Sequence, residues 1–285
     1  MQKYKTDWYL YYLINVTLII LVSFPIYWAF VSSIKQPDEL ITNTPTLFPK
    51  NPTFESYERI WNLEPTSSRG NIRSAFMNSA IVSIGTVVVS AVISTLAAYA
   101  LTILRTPFRH FIFLLIIMPI LIPGISLLIP LYKLVRELGL MNSYLGLILI
   151  HSTGMLTLGV FLMRNAFMSI PTSLREVALL EGSSELRIMF TVMLPLAIPG
   201  LLTLMVFALY GSWNDFILAF LFVNTIDMEM LNVFLMKLTF AGSQFDTFWG
   251  LLNAGAIISF VPIIIFYIFL QQYFVRGVTG SAVKE

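Results

Sequence analysis

The sequence lacks several residue types on which familiar protein chemistries depend. It contains no cysteine and only two histidines, His110 and His151, among 285 residues. The absence of cysteine excludes disulfides, thiolate metal sites and cysteine nucleophiles, and two histidines cannot form a histidine-rich metal centre. Neither a GxxxxGK[ST] phosphate loop nor an HExxH zinc motif occurs in the chain. We therefore expect no catalytic residue, no metal site and no cofactor.

Charged residues are also scarce, at 11% of the chain, whereas 57% of the residues are hydrophobic. Soluble domains have about 25% charged and about 45–50% apolar residues. With 17 bases, 15 acids and a formal net charge of +2, the chain has no basic cluster that would bind nucleic acid. This composition, with a mean hydropathy of +0.82, indicates a protein whose surface largely faces lipid.

Six long stretches without a charged residue indicate membrane-spanning helices, because a helix needs about 20 apolar residues to cross a bilayer. The predicted fold is an all-α membrane protein with one transmembrane domain over residues 1–285. Its first span is too long for the apolar core of a cleaved signal peptide, so we interpret it as a retained helix. The spans are predicted at approximately 9–31, 75–103, 111–132, 142–163, 196–222 and 250–274.

Six spans place both termini on one side of the membrane, and the distribution of Lys and Arg predicts that this side is the cytoplasm. Most of the bias comes from the short turn 105–109 and from the loop 164–187. The long, proline-rich segment 35–73 is then an external and partly structured loop. The segment 164–195 is a cytoplasmic loop.

Two of the spans carry patterns that predict how they pack. Small residues recur at helical spacing along the second span and favour close helix packing inside the subunit: Ser79, Ser83, Ser90, Ser94 and Ala98. Three prolines in the third span remove backbone hydrogen bonds and predict a kink: Pro119, Pro123 and Pro130.

Polar residues at the predicted outer end of the fifth span are candidates for a substrate pathway. Trp213, Asn214 and Asp215 place an aromatic ring, an amide and an acid together, which suits sugar stacking and hydroxyl binding. A purely structural role for this cluster is the alternative, because tryptophan is also common at membrane interfaces. His151, alone within the fourth span, is interpreted as a packing residue.

The cytoplasmic loop has the pattern of two short helices separated by a turn. Ser173 and Glu176 have the spacing of a capping box that would open the first helix. Gly182 occupies the position where a left-handed residue would end it. Ser183 or Ser184 can cap the second helix, which is predicted to end at Pro195. An exposed pair of this kind favours docking into a groove of another protein.

This loop resembles the EAA loop of binding-protein-dependent ABC importers, whose pattern is Glu-Ala-Ala, three residues, Gly and a later Leu-Pro. Val177 replaces the middle alanine, and Glu181 stands where relatives often have aspartate. The positions that match are Glu176, Ala178, Gly182, Leu194 and Pro195. Three further segments resemble the carbohydrate branch, the maltose-type permeases: Leu96–Leu101, Gly211–Phe216, and Tyr273–Gly277 with the following Gly280–Lys284.

The resemblance implies a type I ABC importer permease fold in the cytoplasmic membrane of a bacterium or archaeon. It implies that a solute-binding protein delivers substrate outside, that a second, homologous permease subunit completes the pathway, and that two ATP-binding subunits drive alternating access. The loop 164–195 would couple to an ATP-binding subunit and is called the coupling loop below. The residues to which the resemblance assigns this coupling are Glu176, Ala178, Leu179, Leu180, Glu181 and Gly182.

Three alternatives remain open at this point. The same architecture could import a non-sugar solute such as a phosphodiester or a polyamine. An ion-coupled secondary transporter would need acids or broken helices at the membrane midplane, which the spans offer sparsely. A membrane-embedded hydrolase would need an acid, base and nucleophile together, and no such constellation is visible.

Overall fold

The structure is a computed structural model that describes residues 2–42, 44–66, 68–104, 106–240 and 248–282. Regular structure within these ranges is helical, which confirms the predicted all-α fold. Arg105 and Lys284, two of the bases that entered the topology prediction, lie outside the described residues. So does the end of the C-terminal segment that resembles the carbohydrate permeases.

The α-helices of the described ranges are numbered in chain order. They are α1 (Gln2–Ser33), α2 (Pro37–Leu40), α3 (Glu55–Trp61), α4 (Ile72–Thr102), α5 (Arg109–Ile117), α6 (Leu128–Glu137), α7 (Tyr144–Met168), α8 (Thr172–Leu180), α9 (Glu185–Ile188), α10 (Leu194–Leu196), α11 (Ile198–Trp213), α12 (Ile217–Phe222), α13 (Leu231–Phe240) and α14 (Phe248–Ala282).

Four of these helices are long and apolar enough to cross a bilayer: α4 and α7 over their whole lengths, α1 over Trp8–Ser33 and α14 over Phe248–Phe269. Two helix pairs pass the same test but are sharply bent. The described residues thus hold up to six candidate spans when each bent pair is taken as one, which agrees with the predicted number.

The first bent pair occupies the region where the sequence predicts the third span. Arg109–Leu121 and Gly124–Glu137 meet at 96°. Pro123 lies at the bend, and the backbone on both sides of it winds into short 3-10 turns, Met118–Leu121 and Gly124–Leu127. Proline cannot donate a backbone hydrogen bond and clashes with the preceding turn. The predicted kink is therefore a complete break between two helices.

The second bent pair precedes the 213–215 cluster. Glu185–Leu196 and Ile198–Trp213 meet at 80°, with Ala197 between them. A π-helical turn at Met189–Met193 and two prolines, Pro195 and Pro199, in the first turns of α10 and α11 accompany the bend. The helical stretch that starts at Glu185 thus ends at Leu196, within one residue of Pro195, where the sequence predicts its end.

The fold separates into two compact units. The first contains the residues up to Arg73 together with Phe234–Pro262, and the second contains Ser74–Val233 together with the residues from Ile263 onward. In the first unit, α14 approaches α3 and α13 closely: a Cβ atom added at Gly255 would lie 2.9 Å from Cδ1 of Ile60 and would also meet Leu235. The segment 35–73, predicted to be a partly structured loop, contains two helices, α2 and α3.

The second unit holds an apolar core that α4, α7, the coupling loop and α11 build together. Val160, Met163 and Phe167 of α7 are fully buried there. Ala98 and Tyr99 of α4 complete one side, and the coupling loop contributes the opposite side with a further set of buried residues: Ile170, Ala178, Ile188, Met189 and Met193. The coupling loop is therefore part of the core and not a loose connection.

Candidate functional site

The first helix of the coupling loop, α8, begins at Thr172. Its N-cap is Pro171, with φ −59° and ψ 130°, and no side chain caps the first turn. The capping box predicted for Ser173 and Glu176 is therefore wrong. Proline with its fixed φ starts the helix two residues earlier than predicted, so Ser173 already has helical backbone geometry and cannot cap it.

The end of α8 is a Schellman motif, as the position of Gly182 predicts. Gly182 has φ +81°, and its N–H donates to the carbonyl of Leu179 over 3.0 Å. The N–H of Ser183 donates to the carbonyl of Ala178, also over 3.0 Å. A Cβ atom added at Gly182 would meet nothing within 4 Å, so this position requires glycine for its backbone conformation and not for space.

The side chains of α8 divide into a buried and an exposed set. Ala178 is buried in the core of the second unit, and its small size suits that position. Leu174, Val177 and Leu180 are 42%, 55% and 89% exposed, and their spacing of three residues places them along one side of the helix. Leu179, at 38%, and the acidic side chains of Glu176 and Glu181 are exposed as well.

The second helix of the coupling loop, α9, starts as predicted with a serine cap. The hydroxyl of Ser184 accepts from the N–H of Arg187 over 3.4 Å. Glu185 is the first residue of α9, and its carboxylate accepts hydrogen bonds from two directions: from the guanidinium of Arg175 on α8 and from the hydroxyl of Tyr99 on α4. The hydrogen bond to Glu185 raises the pKa of Arg175 above its already high usual value.

The 213–215 cluster lies at the junction between α11 and α12. Trp213 is 4% exposed, and its ring packs edge-to-face on Phe76 of α4 with centroids 5.4 Å apart. Asn214 ends α11; its amide donates to the carbonyl of Tyr210 over 3.0 Å, and the side chain is exposed. Of the three residues in this cluster, Asn214 is thus the one whose side chain can meet a solute.

Asp215 organises the start of α12. Its carboxylate accepts the N–H groups of Leu218, over 3.3 Å, and Ala219, over 2.9 Å. His151 of α7 approaches the same carboxylate, with its Nε2 atom 3.8 Å from Oδ2. Asp215 therefore contacts both α7 and the non-helical link between α11 and α12. Nothing in the sequence indicates that His151 lies beside this acid.

Sequence reasoning missed a set of amides that hold the segment after α12. Asn78 of α4 donates to the carbonyls of Asp227 and Glu229, each over 2.9 Å, and accepts from the hydroxyl of Tyr144 over 2.7 Å. Asn232 donates to the carbonyls of Trp213 and Asp215 over 3.1 and 3.2 Å. Only the tertiary fold brings these residues together, so no local pattern could have revealed them.

The row of small residues on α4 is buried as its spacing predicts. Six hydroxyls of α4, buried at the oxygen atom, have no hydrogen-bond partner within the described part of the chain: those of Ser83, Thr86, Ser90, Ser94, Thr95 and Thr102. Ser94 lies where α4 meets Gly159 of α7, and a Cβ atom added at Gly159 would lie 2.9 Å from the Ser94 Cβ. The residues make close helix contact possible, because larger ones would hold the helices apart.

Two further features bear on what the chain can bind. No group of three or more His, Asp or Glu side chains among the described residues could hold a metal ion. In the first unit, a polar cleft of about 310 Å³ lies between the end of α3 and the start of α4, lined by Trp61, Asn62, Leu63, Glu64, Asn71 and Arg73.

Comparison with known proteins gives a consistent result. The family described as "binding-protein-dependent transport system inner membrane component" matches residues 90–280. The probable starch degradation products transport system permease protein AmyC of Thermoanaerobacterium thermosulfurigenes is 32% identical over 287 residues, covering 100% of both chains. The trehalose transport system permease protein SugB of Mycobacterium tuberculosis is 32% identical over 261 residues, covering 91% of this chain and 92% of the relative.

A solved structure has the same fold. It is a chain of a bacterial ABC transporter involved in the import of the acidic polysaccharide alginate, with a TM-score of 0.85 at 24% identity. The match covers 96% of this chain and 98% of the other. The broken third and fifth spans are thus included in an architecture that a known importer shares.

Proposed function

The chain belongs to the family of binding-protein-dependent transport system inner membrane components, and on that premise we propose that it forms half of the pathway through which an ATP-driven importer carries a sugar. In this proposal the energy comes from two separate ATP-binding subunits, one of which docks on the coupling loop. A second, homologous permease subunit completes the pathway, and a binding protein delivers the sugar on the outer side. Both chain termini are in the cytoplasm.

The observation that carries the proposal is the exposed apolar side of α8. This nine-residue helix ends in a Schellman motif. Ala178 anchors it in the core, and Leu174, Val177 and Leu180 point outward. Exposed apolar groups of this kind mark protein interaction sites, and an amphipathic helix typically enters a hydrophobic groove. The acids Glu176 and Glu181 at its margins suit a groove with basic rims.

A sugar substrate is supported by the relatives and by the 213–215 cluster. The relatives named above transport starch degradation products and trehalose, and both cover nearly all of this chain. Asn214, exposed at the end of α11, supplies an amide that can bind sugar hydroxyls, and Trp213 and Asp215 fix the backbone around it. A non-sugar solute on the same architecture remains the alternative, and the ligand of the cognate binding protein distinguishes the two.

Docking on α8 is tested by co-purification of the ATP-binding subunits with the permease. Leu180→Glu places a charge at the most exposed apolar position of the docking helix and should abolish co-purification. Leu47→Glu, at a 54% exposed leucine of the segment 35–73, is the matched control and should retain it. Wild-type stoichiometry in the Leu180→Glu complex would refute docking through α8.

A further inference from the structure

We infer that the carboxylate of Glu185 is a mechanical joint that carries movement of the docking helix α8 into the membrane-spanning helix α4. The inference rests on the proposed function and adds to it the residues that connect the docking surface with the spans. Neither Glu185 nor its two partners belongs to the motif through which the coupling loop resembles its family. The joint consists of Arg175, Glu185 and Tyr99.

The two links of the joint leave Glu185 in different directions. The guanidinium of Arg175 donates to both carboxylate oxygens, with its Nε atom 3.2 Å from Oε2 and its Nη2 atom bonded to Oε1. The hydroxyl of Tyr99 donates to Oε2 over 3.0 Å. One carboxylate thereby binds α8 through a charged, two-point contact and α4 through a single hydroxyl.

On their polar side, α8 and α9 are connected by this carboxylate and by the turn 181–184. Loss of the carboxylate would leave the turn as the main constraint on the orientation of α8 relative to α9. Ala178 fixes the apolar side of α8 by its burial in the core. A helix held only along one apolar contact can roll about it, whereas a bidentate Arg–carboxylate contact adds a directional constraint. The Arg175–Glu185 contact is partly exposed, with side-chain exposures of 23% and 36%, so its value lies in geometry more than in stability.

The Tyr99 side of the joint is rigid. Tyr99 is 4% exposed, and its ring packs edge-to-face on Phe167 of α7 with centroids 5.5 Å apart. Its hydroxyl is thus held at a fixed position on α4, at the edge of the core beside the partly exposed Glu185. A displacement of α8 that moves Glu185 must either pull α4 with it or break the hydroxyl contact. Breaking the contact costs the hydroxyl its charge-assisted hydrogen bond to the carboxylate, which is unfavourable.

The test uses the whole importer in proteoliposomes, assembled with its ATP-binding subunits and its cognate binding protein. Tyr99→Phe removes one hydroxyl and leaves the ring packing in place, whereas Glu185→Ala removes both links. We expect Tyr99→Phe to reduce the stimulation of ATP hydrolysis by loaded binding protein about tenfold, with wild-type co-purification and melting temperature. Sugar imported per ATP hydrolysed should fall as well, which a merely stabilising contact would not change.

Two controls and a double variant complete the design. Tyr210→Phe, at an exposed tyrosine of α11, and Glu137→Gln, at an exposed glutamate of α6, should behave like the wild type. Tyr99→Phe combined with Glu185→Ala should be no worse than Glu185→Ala alone, because both act through one carboxylate. Unchanged stimulation in Tyr99→Phe, or effects of the two changes that simply add, would overturn the joint. Absence of any stimulation in the wild-type complex would instead contradict the proposed function.

Discussion

At the residue scale, Gly182 is the position whose backbone conformation bears most directly on the proposed function. Its φ of +81° follows from a sequence pattern, since a glycine after an amphipathic turn of helix predicts a left-handed stop. The hydrogen bonds of Ser183 and Gly182 to the last turn of α8 depend on that conformation. Any side chain here therefore acts on the end of the docking helix through the backbone.

Gly182→Val should uncouple the importer. A β-branched residue in the left-handed region costs roughly 1–2 kcal/mol, enough to shift the end of α8 and redirect Leu180. We expect the spans to insert normally and the stimulation of ATP hydrolysis by loaded binding protein to collapse, measured on purified complexes. Gly182→Asn should be milder because asparagine tolerates this region.

The matched control for Gly182→Val is Gly139→Val. Gly139 has φ +67° in the turn after α6, and a Cβ atom there would also meet nothing within 4 Å. The two substitutions carry the same backbone penalty, but only Gly182 lies in the coupling loop. If Gly182→Val and Gly182→Asn behaved alike, or if Gly139→Val abolished stimulation equally, Gly182 would have no specific part in coupling.

Asn214 allows the proposed solute contact to be separated from folding. Asn214→Ala should lower uptake while co-purification and melting temperature stay unchanged, because the side chain is exposed. Asn15→Ala is its matched control: the amide of Asn15 makes the same contact one turn back in its helix, with the carbonyl of Tyr11 over 2.7 Å. Normal uptake by Asn214→Ala would return the cluster to a structural role.

The residue scale also shows where sequence reasoning fails. The cap predicted at Ser173 is wrong because Pro171 starts α8 two residues earlier. Local preference alone does not decide between these two caps. Burial of Trp213 against Phe76 likewise depends on the approach of α4, 137 residues earlier in the chain.

At the scale of helices, the close approach of α4, α7 and α11 is the feature most accessible to test. A Cβ atom at Gly159 would meet the hydroxyl of Ser94 on α4 and lie 2.9 Å from Cδ1 of Leu204 on α11. Gly159→Leu should therefore separate the three helices and lower the melting temperature of the purified subunit. Overpacking of this kind typically costs about 1–3 kcal/mol.

Gly154, five residues earlier on α7, is the control for that prediction. A Cβ atom at Gly154 would have no neighbour within 4 Å, so Gly154→Leu should leave the melting temperature nearly unchanged. Equal destabilisation by the two substitutions would mean that any leucine added to α7 lowers stability, and that the contact with α4 and α11 does not explain the effect of Gly159→Leu.

The lengths of the helices could be predicted better than their interruptions. Uncharged runs locate α1, α4, α7 and α14 because lipid burial imposes a minimum length. The prolines in the sequence indicate an interrupted helix at Pro123. The 96° angle between the two halves depends on neighbouring helices that satisfy the freed backbone groups. The amphipathic pattern gives no indication of α13, which lies between two predicted spans.

At the scale of the whole molecule, the topology is a prediction from charge that cysteine labelling can test. The chain has no cysteine, so single cysteines at the exposed positions Asn51 and Ser184 give a clear signal. An impermeant thiol reagent applied to intact cells should label Asn51→Cys and should label Ser184→Cys only after permeabilisation. The reverse pattern would place the termini outside and exclude the cytoplasmic docking of α8.

The ion-coupled alternative can also be judged at this scale. His151 and Asp215 form an ionisable contact within the second unit, the type of feature that a secondary transporter would use. The carboxylate of Asp215, however, already accepts two backbone N–H groups at the start of α12. This structural use, together with membership of a binding-protein-dependent family, favours a pathway driven by ATP.

The most direct test of this account is uptake into proteoliposomes that contain the permease pair and its ATP-binding subunits. Thermal shifts of the cognate binding protein with starch degradation products and with trehalose first identify the sugar, which is then radiolabelled. The account predicts uptake that requires both internal ATP and the external binding protein, and that survives dissipation of the proton and sodium gradients. Uptake that proceeds without ATP and is driven by either ion gradient would contradict it.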